Sequence, residues 1–348
     1  MKNIMLSFDG SNGNLEWGQG IEVVILLMGL LLLLPGEVDG QLSVNFYQNT
    51  ACSNLEAVIQ TVMVAKFQQA STSPAAILRL FFHDCMVNGC DASVLIASTP
   101  GNVAERDAPI NLSLAGDGFD AVTQAKTALE KICPGIVSCA DILAIATRDL
   151  VRMVGGPAYP VLKGRRDSRI SRAIDATEQL PTVNLTINQL NALFGSKGFS
   201  QHEMVTLSGG HTIGFVHCDQ FLNRIYNFSS TSQTDPTMSA TFAQQLRLSC
   251  SPNVSNSDPN VVVFLDQTTS NRFDNAYYMN TVQGEGVLTT DQELFTDLRT
   301  RSQVVEYIKS NSLFVSDYVN VIIKLGSLEV LTGTQGEIRR ALDCSAVN

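Results

Sequence analysis

Histidine is scarce in this chain, with only four residues, so each can be weighed as a ligand or an acid–base group. His83 follows Arg79 by four positions in an apolar helical pattern, which places an imidazole and a guanidinium on one helix face. A lone histidine on an apolar helix is more often a satisfied core residue. The cation one turn away favours a polar, reactive site instead.

His211 is the second candidate, because it follows Gly209 and Gly210 at the end of a predicted helix. Paired glycines permit the close approach of a flat ligand. A histidine that caps the helix C-terminus is the alternative, and the residues alone leave both open. His202, in a first helical turn, and His217, on a polar stretch, are predicted to lie on the surface.

The cysteines indicate an oxidised, exported protein. Eight cysteines, an even number, predict four disulfides. Cys85 and Cys90 bracket a short turn-forming loop and are a locally plausible pair. A zinc site of His83, Cys85 and Cys90 and a hydrolase with Cys85 as nucleophile are the alternatives. Both are disfavoured because export favours oxidation of the thiols.

The N-terminus resembles a secretory signal. Residues 23–34 form an unbroken apolar run that Pro35 ends, too short to span a bilayer comfortably. Small residues up to Gly40 suit signal peptidase, so we expect residues 1–40 to be removed and the mature chain to begin at Gln41. An uncleaved membrane anchor is the alternative.

Composition restricts the function class. The 348 residues carry 23 basic and 33 acidic side chains, and 45% are hydrophobic. This excludes a disordered chain and disfavours a nucleic-acid-binding protein, which usually has a positive excess. We expect small or neutral partners and no nucleic acid.

The apolar pattern after residue 41 is helical throughout. Leu55, Ile59 and Met63 belong to one amphipathic stripe, and no alternating run is long enough for a substantial sheet. A further helix is predicted from the N-cap Ser73 and Pro74 through His83. Two more begin at capping boxes at Thr186 and Ser200, and the helix from Thr186 is predicted to end at Gly198. Other helical stretches are 117–132, 139–152, 216–226, 238–249 and 313–326. Residues 41–348 are therefore predicted to form a single, mainly α domain.

Seven stretches resemble, in family order, the class III secretory plant haem peroxidases across 41–348. They are residues 79–95 (RLFFHDCMVNGCDASVL), 139–148 (CADILAIATR), 164–168 (GRRDS), 207–214 (LSGGHTIG), 273–278 (FDNAYY), 291–295 (DQELF) and 331–336 (LTGTQG). Any one alone is weak evidence, whereas seven in order are very specific. The resemblance implies a mainly α, two-lobed fold with one haem b between distal and proximal helices.

The same resemblance assigns the catalytic residues. His211 is the expected axial ligand of the haem iron, and Arg79, Phe82 and His83 are expected on the open distal side. Haem chemistry with peroxide needs one nitrogen ligand and one free axial position. A second, unligated histidine can then act as general base, and a guanidinium can stabilise the developing negative charge.

Three further residues follow by alignment with the family. Asn111 is expected to accept a hydrogen bond from His83, and Asp291 one from His211. Pro181 is expected to mark the exposed haem edge where small phenolic donors bind.

Two calcium ions and the disulfide pairings also come from the resemblance. The distal calcium set is Asp84, Asp91 and Ser93 with the carbonyls of Val87 and Gly89; the proximal set is Thr212, Asp266, Thr269 and Asp274 with the carbonyl of Arg272. The implied disulfides are Cys52–Cys133, Cys85–Cys90, Cys139–Cys344 and Cys218–Cys250.

The expected function is that of a donor:hydrogen-peroxide oxidoreductase, which reduces hydrogen peroxide while it oxidises phenols in one-electron steps. Wall cross-linking, lignification or an oxidative stress response are the expected roles. We expect a monomer without stable membrane association, in the apoplast or cell wall rather than the vacuole. Of the sequons at Asn111, Asn184, Asn227 and Asn253, only Asn111 is predicted to stay unglycosylated. A non-catalytic secreted scaffold is the alternative.

Overall fold

The computed structural model describes residues 41–252 and 261–348. The predicted leader and the Asn253 sequon lie outside the described residues. The described α-helices are α1 (Leu55–Gln69), α2 (Ser73–Met86), α3 (Gly116–Ile132), α4 (Cys139–Met153), α5 (Ala173–Gln179), α6 (Ile187–Ser196), α7 (Gln201–Ser208), α8 (Leu222–Ile225), α9 (Ala240–Ser249), α10 (Ala276–Val282), α11 (Thr289–Thr296), α12 (Leu298–Lys309) and α13 (Asn311–Leu325). Strands β1 (Phe215–His217) and β2 (Val262–Phe264) pair antiparallel, with Val216 opposite Val263. The prediction of a mainly α fold is confirmed.

The first four helices pack on one another, and α2 lies against both α3 and α4. Its apolar residues Ile77, Leu80 and Phe81 are buried in the core. Arg79 follows Ile77 by two positions, and His83 follows Phe81 by two positions. In a helix with 3.6 residues per turn, a step of two residues leads to the opposite side of the helix. α2 therefore fixes one face in the core and presents the other to the candidate site.

The C-terminal helices pack around an aromatic core. The ring of Tyr278 lies 5.0 Å from that of Tyr307 and 5.2 Å from that of Phe314, measured between centroids. A Cβ atom at Gly209 would lie 2.4 Å from the Tyr278 hydroxyl, so only glycine lets the turn after α7 approach this core. Gly209 thus has a packing role against these rings, whereas a Cβ atom at Gly210 would meet only ordinary contacts of 3.5 Å or more.

Local signals placed most helix boundaries. Thr186 and Ser200 both form capping boxes, and Gly198 follows the end of α6 with a φ of +79°. The N-cap of α2 is Thr72 rather than Ser73, so the helix begins one residue earlier than predicted.

The predicted helix over 216–226 is wrong. The chain forms β1 and a 3₁₀ turn there, and only Leu222–Ile225 is α-helical. Cys218 is bonded to Cys250, and its backbone N–H donates to the Val261 carbonyl. These long-range partners outweigh the local preference of the segment for helix.

All eight cysteines lie in the described part of the chain and form the four disulfides that the resemblance implied. They are Cys52–Cys133, Cys85–Cys90, Cys139–Cys344 and Cys218–Cys250. The alternatives of a zinc site and of a cysteine nucleophile, which both required a free Cys85, are therefore wrong.

Candidate active site

α2 brings three of the predicted residues to one face. Arg79, Phe82 and His83 occupy positions i, i+3 and i+4, and the ring centroids of Phe82 and His83 are 6.1 Å apart. His83 is buried, whereas Phe82 and Arg79 are half-buried. The face is thus a partly accessible polar patch in an otherwise apolar helix.

Asn111 sets the proton position on His83. The Nδ1 atom of His83 lies 2.6 Å from Oδ1 of Asn111, and Nδ2 of Asn111 donates to the Glu105 carbonyl at 2.8 Å. The second bond fixes the amide orientation, so Oδ1 faces the imidazole and can only accept. His83 therefore carries its proton on Nδ1, and Nε2 keeps a lone pair that can accept a hydrogen bond or a proton.

Burial lowers the pKa of His83 from 6.5 to about 3. The positive charge of Arg79 lowers it further, the hydrogen bond to Asn111 opposes this change, and His211 adds a smaller depression. The imidazole is consequently neutral and able to accept a proton over the whole physiological range. The contribution of His211 also shows that the two histidines lie close enough to interact electrostatically.

Arg79 is held by the residue two positions after Asn111. Its Nη1 and Nη2 atoms donate to the carbonyl and hydroxyl oxygens of Ser113, each at 2.9 Å. Nε donates to Nε2 of His83 at 3.3 Å. Burial lowers the pKa of Arg79 to about 10, so the guanidinium stays charged at neutral pH. We did not predict the role of Ser113, although it is the serine of the Asn111 sequon.

His211 lies in the 3₁₀ turn Gly209–Thr212 that follows α7. Its Nδ1 is 2.8 Å from Oδ1 of Asp291, the third residue of α11. Asp291 also accepts from the Tyr277 hydroxyl at 2.9 Å and from the Leu288 N–H at 3.0 Å. His211 is thus oriented by a carboxylate, and the alternative of a simple helix cap does not describe it.

The free side of His211 is its Nε2 atom. Among the described residues none makes a hydrogen bond to that atom, and 41% of the side chain is exposed, against 2% for Asp291. An imidazole with Nδ1 fixed by a carboxylate and Nε2 free is the arrangement of a metal-ligating histidine. Tyr277 belongs to the sequence motif at 273–278, but we assigned it no role.

Comparison with known proteins identifies the chain. Residues 59–310 match the peroxidase family. The chain belongs to the peroxidase family. It is 49% identical to Peroxidase 45 of Arabidopsis thaliana, over 92% of this chain and 96% of that protein. Identity to Peroxidase 51 and Peroxidase 55 of the same plant is 47% over 93% and 94% of this chain, and over 98% and 97% of those proteins.

The family implies a haem, and the residues of this peroxidase fit one. His211 offers a ring nitrogen without a hydrogen-bond partner among the described residues, and its other nitrogen is fixed by Asp291. The histidine with which it interacts electrostatically, His83, is held by Asn111 and has no carboxylate partner of its own among the described residues. One ligating and one non-ligating imidazole are what a peroxidase haem requires.

The residues predicted to hold a distal calcium ion form a buried acidic cluster. Asp84 accepts from the Ala92 N–H at 3.0 Å, and Asp91 from the Ser93 N–H at 3.0 Å. Burial and the charge of Asp91 raise the pKa of Asp84, burial raises that of Asp91 to about 6, and burial with both aspartates raises that of Glu105 to about 9.

Glu105 lies beside Ser93 and tests whether this cluster has donor atoms that suit a cation. Its Oε2 accepts from the Ser93 hydroxyl at 3.2 Å, whereas its Oε1 is buried without a hydrogen-bond partner among the described residues. The orphaned oxygen of Glu105 is a donor of the kind that a hard cation prefers. The carbonyls of Val87 and Gly89 belong to the loop between the two aspartates. We did not predict Glu105.

The residues predicted to hold a proximal calcium ion converge within hydrogen-bonding distance. The Thr212 hydroxyl is 3.2 Å from Oδ2 of Asp266 and 3.4 Å from the Arg272 carbonyl. The Thr269 hydroxyl is 3.1 Å from the same Asp266 oxygen and 2.9 Å from Oδ1 of Asp274. Among the described residues no three carboxylate, imidazole or thiol groups are placed to hold a metal. Both predicted calcium sets would therefore depend on hydroxyl and carbonyl oxygens as well.

The remaining predicted residues differ in their exposure. Pro181 is half-buried in the loop between α5 and α6. Asn111 is buried, whereas Asn184 and Asn227 are exposed. His202 is a surface residue as predicted; His217 is instead half-buried in β1.

No helix in the described ranges has the length and apolarity to cross a membrane.

Proposed function

We propose that this protein is a secreted class III haem peroxidase that reduces hydrogen peroxide and oxidises small phenols in one-electron steps. One observation carries the proposal, namely the contrast between the two histidines. His83 is a neutral base with its proton held on Nδ1 by Asn111, and His211 has a free Nε2 with Nδ1 held by Asp291.

One haem b per chain is proposed between α2 and the turn that carries His211, in a two-lobed fold. His211 would hold the iron, and Arg79, Phe82 and His83 would line the opposite side. When bound, the haem supplies the redox centre from which peroxide withdraws electrons.

His83 moves the proton. Its Nε2 takes a proton from one peroxide oxygen and returns it to the other, which leaves as water. To do so Nε2 must exchange the long 3.3 Å bond from Arg79 for one from peroxide. Arg79 stays charged and stabilises the negative charge that develops as the O–O bond breaks. Asn111 keeps the Nδ1 proton in place, so the lone pair stays on Nε2.

Electron donors are proposed to be small phenols at an exposed edge near Pro181. Because an electron can reach that edge without contact between donor and iron, a shallow and permissive site suffices. Wall-polymer cross-linking, lignification and the oxidative stress response are roles consistent with such donors.

We further propose a mature chain that begins at Gln41 and consists of a single domain over 41–348. It would bind two calcium ions, remain monomeric without stable membrane association, and reside in the apoplast or cell wall. Asn184 and Asn227 are proposed glycosylation sites because both are exposed.

The experiment is a haem absorption spectrum of the purified secreted protein, with a peroxide-dependent guaiacol assay. A haem band and colour formation are expected. A folded, colourless protein without the band would support the scaffold alternative and overturn the proposal.

A further inference from the structure

Three tyrosine rings connect the proximal side of the active site to the protein surface. The centroids of Tyr277 and Tyr278 are 5.1 Å apart, and those of Tyr278 and Tyr307 are 5.0 Å apart. The ring of Tyr307 is 6.1 Å from that of His202, whose side chain is 55% exposed. All three tyrosines are buried, so the series leads through the core and ends at His202.

The two ends of the series have carboxylates, and the middle does not. Tyr277 donates to Asp291, the partner of His211, and its ring is 6.1 Å from that of His211. At the other end the Tyr307 hydroxyl donates to Oδ2 of Asp317 at 2.8 Å.

Tyr278 lies between them and donates to the Val205 carbonyl at 2.8 Å. A peptide carbonyl is too weak a base to take a phenolic proton. Tyr278 can therefore pass an electron but cannot easily keep the radical.

This difference matters for redox chemistry. A phenol that loses an electron becomes strongly acidic, so the loss is easy only where a base takes the proton at the same time. Burial raises the pKa of Tyr277 and of Tyr307, which keeps both phenols neutral at rest. Tyr307 with Asp317 is consequently a place where an oxidising equivalent can be held close to the surface.

We propose that Tyr277, Tyr278 and Tyr307 form an electron relay that ends at a surface oxidation site beside His202 and Asp317. Its substrates are phenolic groups on polymers that are too large to enter the active site. The inference rests on the proposed peroxidase function and extends it to a second donor class.

The electrons balance as follows. Reduction of one peroxide to two waters leaves the protein short of two electrons. One of these two electrons is supplied by Tyr307 and passes through the rings of Tyr278 and Tyr277 to the active site. At the same time the phenolic proton of Tyr307 moves to Asp317. The Tyr307 radical then takes an electron from a polymer-bound phenol, recovers its proton, and the phenol loses its own proton to water. A second phenol repeats the sequence, so each peroxide yields two phenoxyl radicals.

If the three tyrosines served only to pack the aromatic core, they would not need the carboxylates of Asp291 and Asp317. Phe314 belongs to the same core and fills its place with an apolar ring. Tyr318 also packs there, 4.7 Å from Phe273, and its hydroxyl has no hydrogen-bond partner among the described residues. Tyr318 is therefore a matched control, because it is a buried tyrosine of the same core without a proton acceptor.

The test compares two donors with the haem-containing enzyme. One is guaiacol and the other is a phenol attached to a high-molecular-weight polyethylene glycol. Tyr307→Phe should slow oxidation of the polymer-bound phenol about tenfold or more, equivalent to a barrier raised by about 1.4 kcal/mol. Guaiacol oxidation and haem absorption should be unchanged. The melting temperature should fall, because the buried Tyr307 hydroxyl also hydrogen-bonds Thr206 and Gln303. Tyr318→Phe should leave both rates unchanged.

Asp317→Asn provides a second test in which the tyrosine ring is kept and only the proton acceptor is removed. It should also slow the polymer reaction. Without donor, peroxide should give a tyrosyl radical signal in the electron paramagnetic resonance spectrum that is absent in Tyr307→Phe. The signal should be weaker in Asp317→Asn.

Three results would overturn the relay. They are a wild-type enzyme that oxidises guaiacol but not the polymer-bound phenol, a Tyr307→Phe enzyme with the normal polymer rate, and an equal fall of both rates. A wild type that oxidises neither donor would overturn the proposed function as well, so the two failures are distinguishable.

Discussion

Replacement of Asn111 by leucine tests the assignment of His83 as the base. The change keeps the branching and the number of heavy atoms of the side chain but removes both of its hydrogen bonds, at 2.6 Å to His83 and 2.8 Å to the Glu105 carbonyl. The Nδ1–H of His83 would then be buried without an acceptor. Its proton could move to Nε2, which is the atom that must accept a proton from peroxide.

The expected loss follows from the hydrogen-bond free energy. A buried group left unsatisfied costs about 1–3 kcal/mol. If about half of that cost, about 0.5–1.5 kcal/mol, is the preference for the Nδ1 tautomer, the rate with peroxide should fall roughly 2- to 12-fold, since about 1.4 kcal/mol corresponds to tenfold. The unfolding free energy should fall by about 1–3 kcal/mol for the same reason.

The pH dependence separates this loss from simple protonation. The hydrogen bond to Asn111 raises the pKa of His83 against the larger effect of burial, so its removal lowers a pKa that is already about 3. His83 therefore stays neutral in both proteins at neutral pH, and the rate deficit should be constant between about pH 5 and about pH 8. Stopped-flow measurement of the first reaction with peroxide gives the rate at each pH.

Ser113→Ala is the control, because it destroys the same sequon but keeps Asn111. Arg79 keeps its bond to the Ser113 carbonyl, so this variant should lose less activity than Asn111→Leu. Neither change should remove a glycan. A normal peroxide rate in Asn111→Leu would refute the reasoning, and a missing glycan mass in Ser113→Ala would show that Asn111 is glycosylated.

Three further predictions concern the haem ligand, calcium and the leader. His211→Ala should lose or loosen haem, whereas His83→Ala should keep the haem spectrum and react with peroxide at least about 100-fold more slowly; a normal rate in His83→Ala would contradict the mechanism. Chelation of calcium should lower the melting temperature and the activity. Asp266→Ala should alter the haem spectrum, because Asp266 contacts Thr212, which follows His211 directly. Verified calcium removal that changes neither the melting temperature nor the haem spectrum would contradict this prediction. Intact mass spectrometry after glycan removal should give the mass of a chain that begins at Gln41. The fluorescence of that chain should be tyrosine-like, because the only tryptophan precedes Gln41. A mass that retains residues 1–40 would favour the membrane anchor.

Sequence reasoning succeeded where the determinant is local. The capping boxes at Thr186 and Ser200 depend on residues three positions apart, and Arg79 with His83 depends on one helical turn. Such signals are written in consecutive residues, so periodicity can detect them.

It failed where the determinant is distant in the chain. Asn111 is 28 residues from His83, and Asp291 is 80 residues from His211, so only the family resemblance could suggest either pair. Tyr277 and Ser113 lay inside sequence patterns that we singled out, yet their contacts could not be inferred from residue type. The segment 216–226 was mispredicted because a disulfide and a strand partner control it.

The two histidines acquire opposite capacities from the chemistry of their Nδ1 partners. Asn111 is neutral and cannot take a proton, so buried His83 stays an uncharged base with a usable Nε2. Asp291 is a carboxylate, and a carboxylate draws the Nδ1 proton and makes the opposite nitrogen a stronger electron donor. The Tyr277 hydroxyl and the Leu288 N–H share that carboxylate's charge, which moderates its pull on His211. The proposed division between base and ligand therefore depends on an amide at one imidazole and a carboxylate at the other, together with the burial of His83.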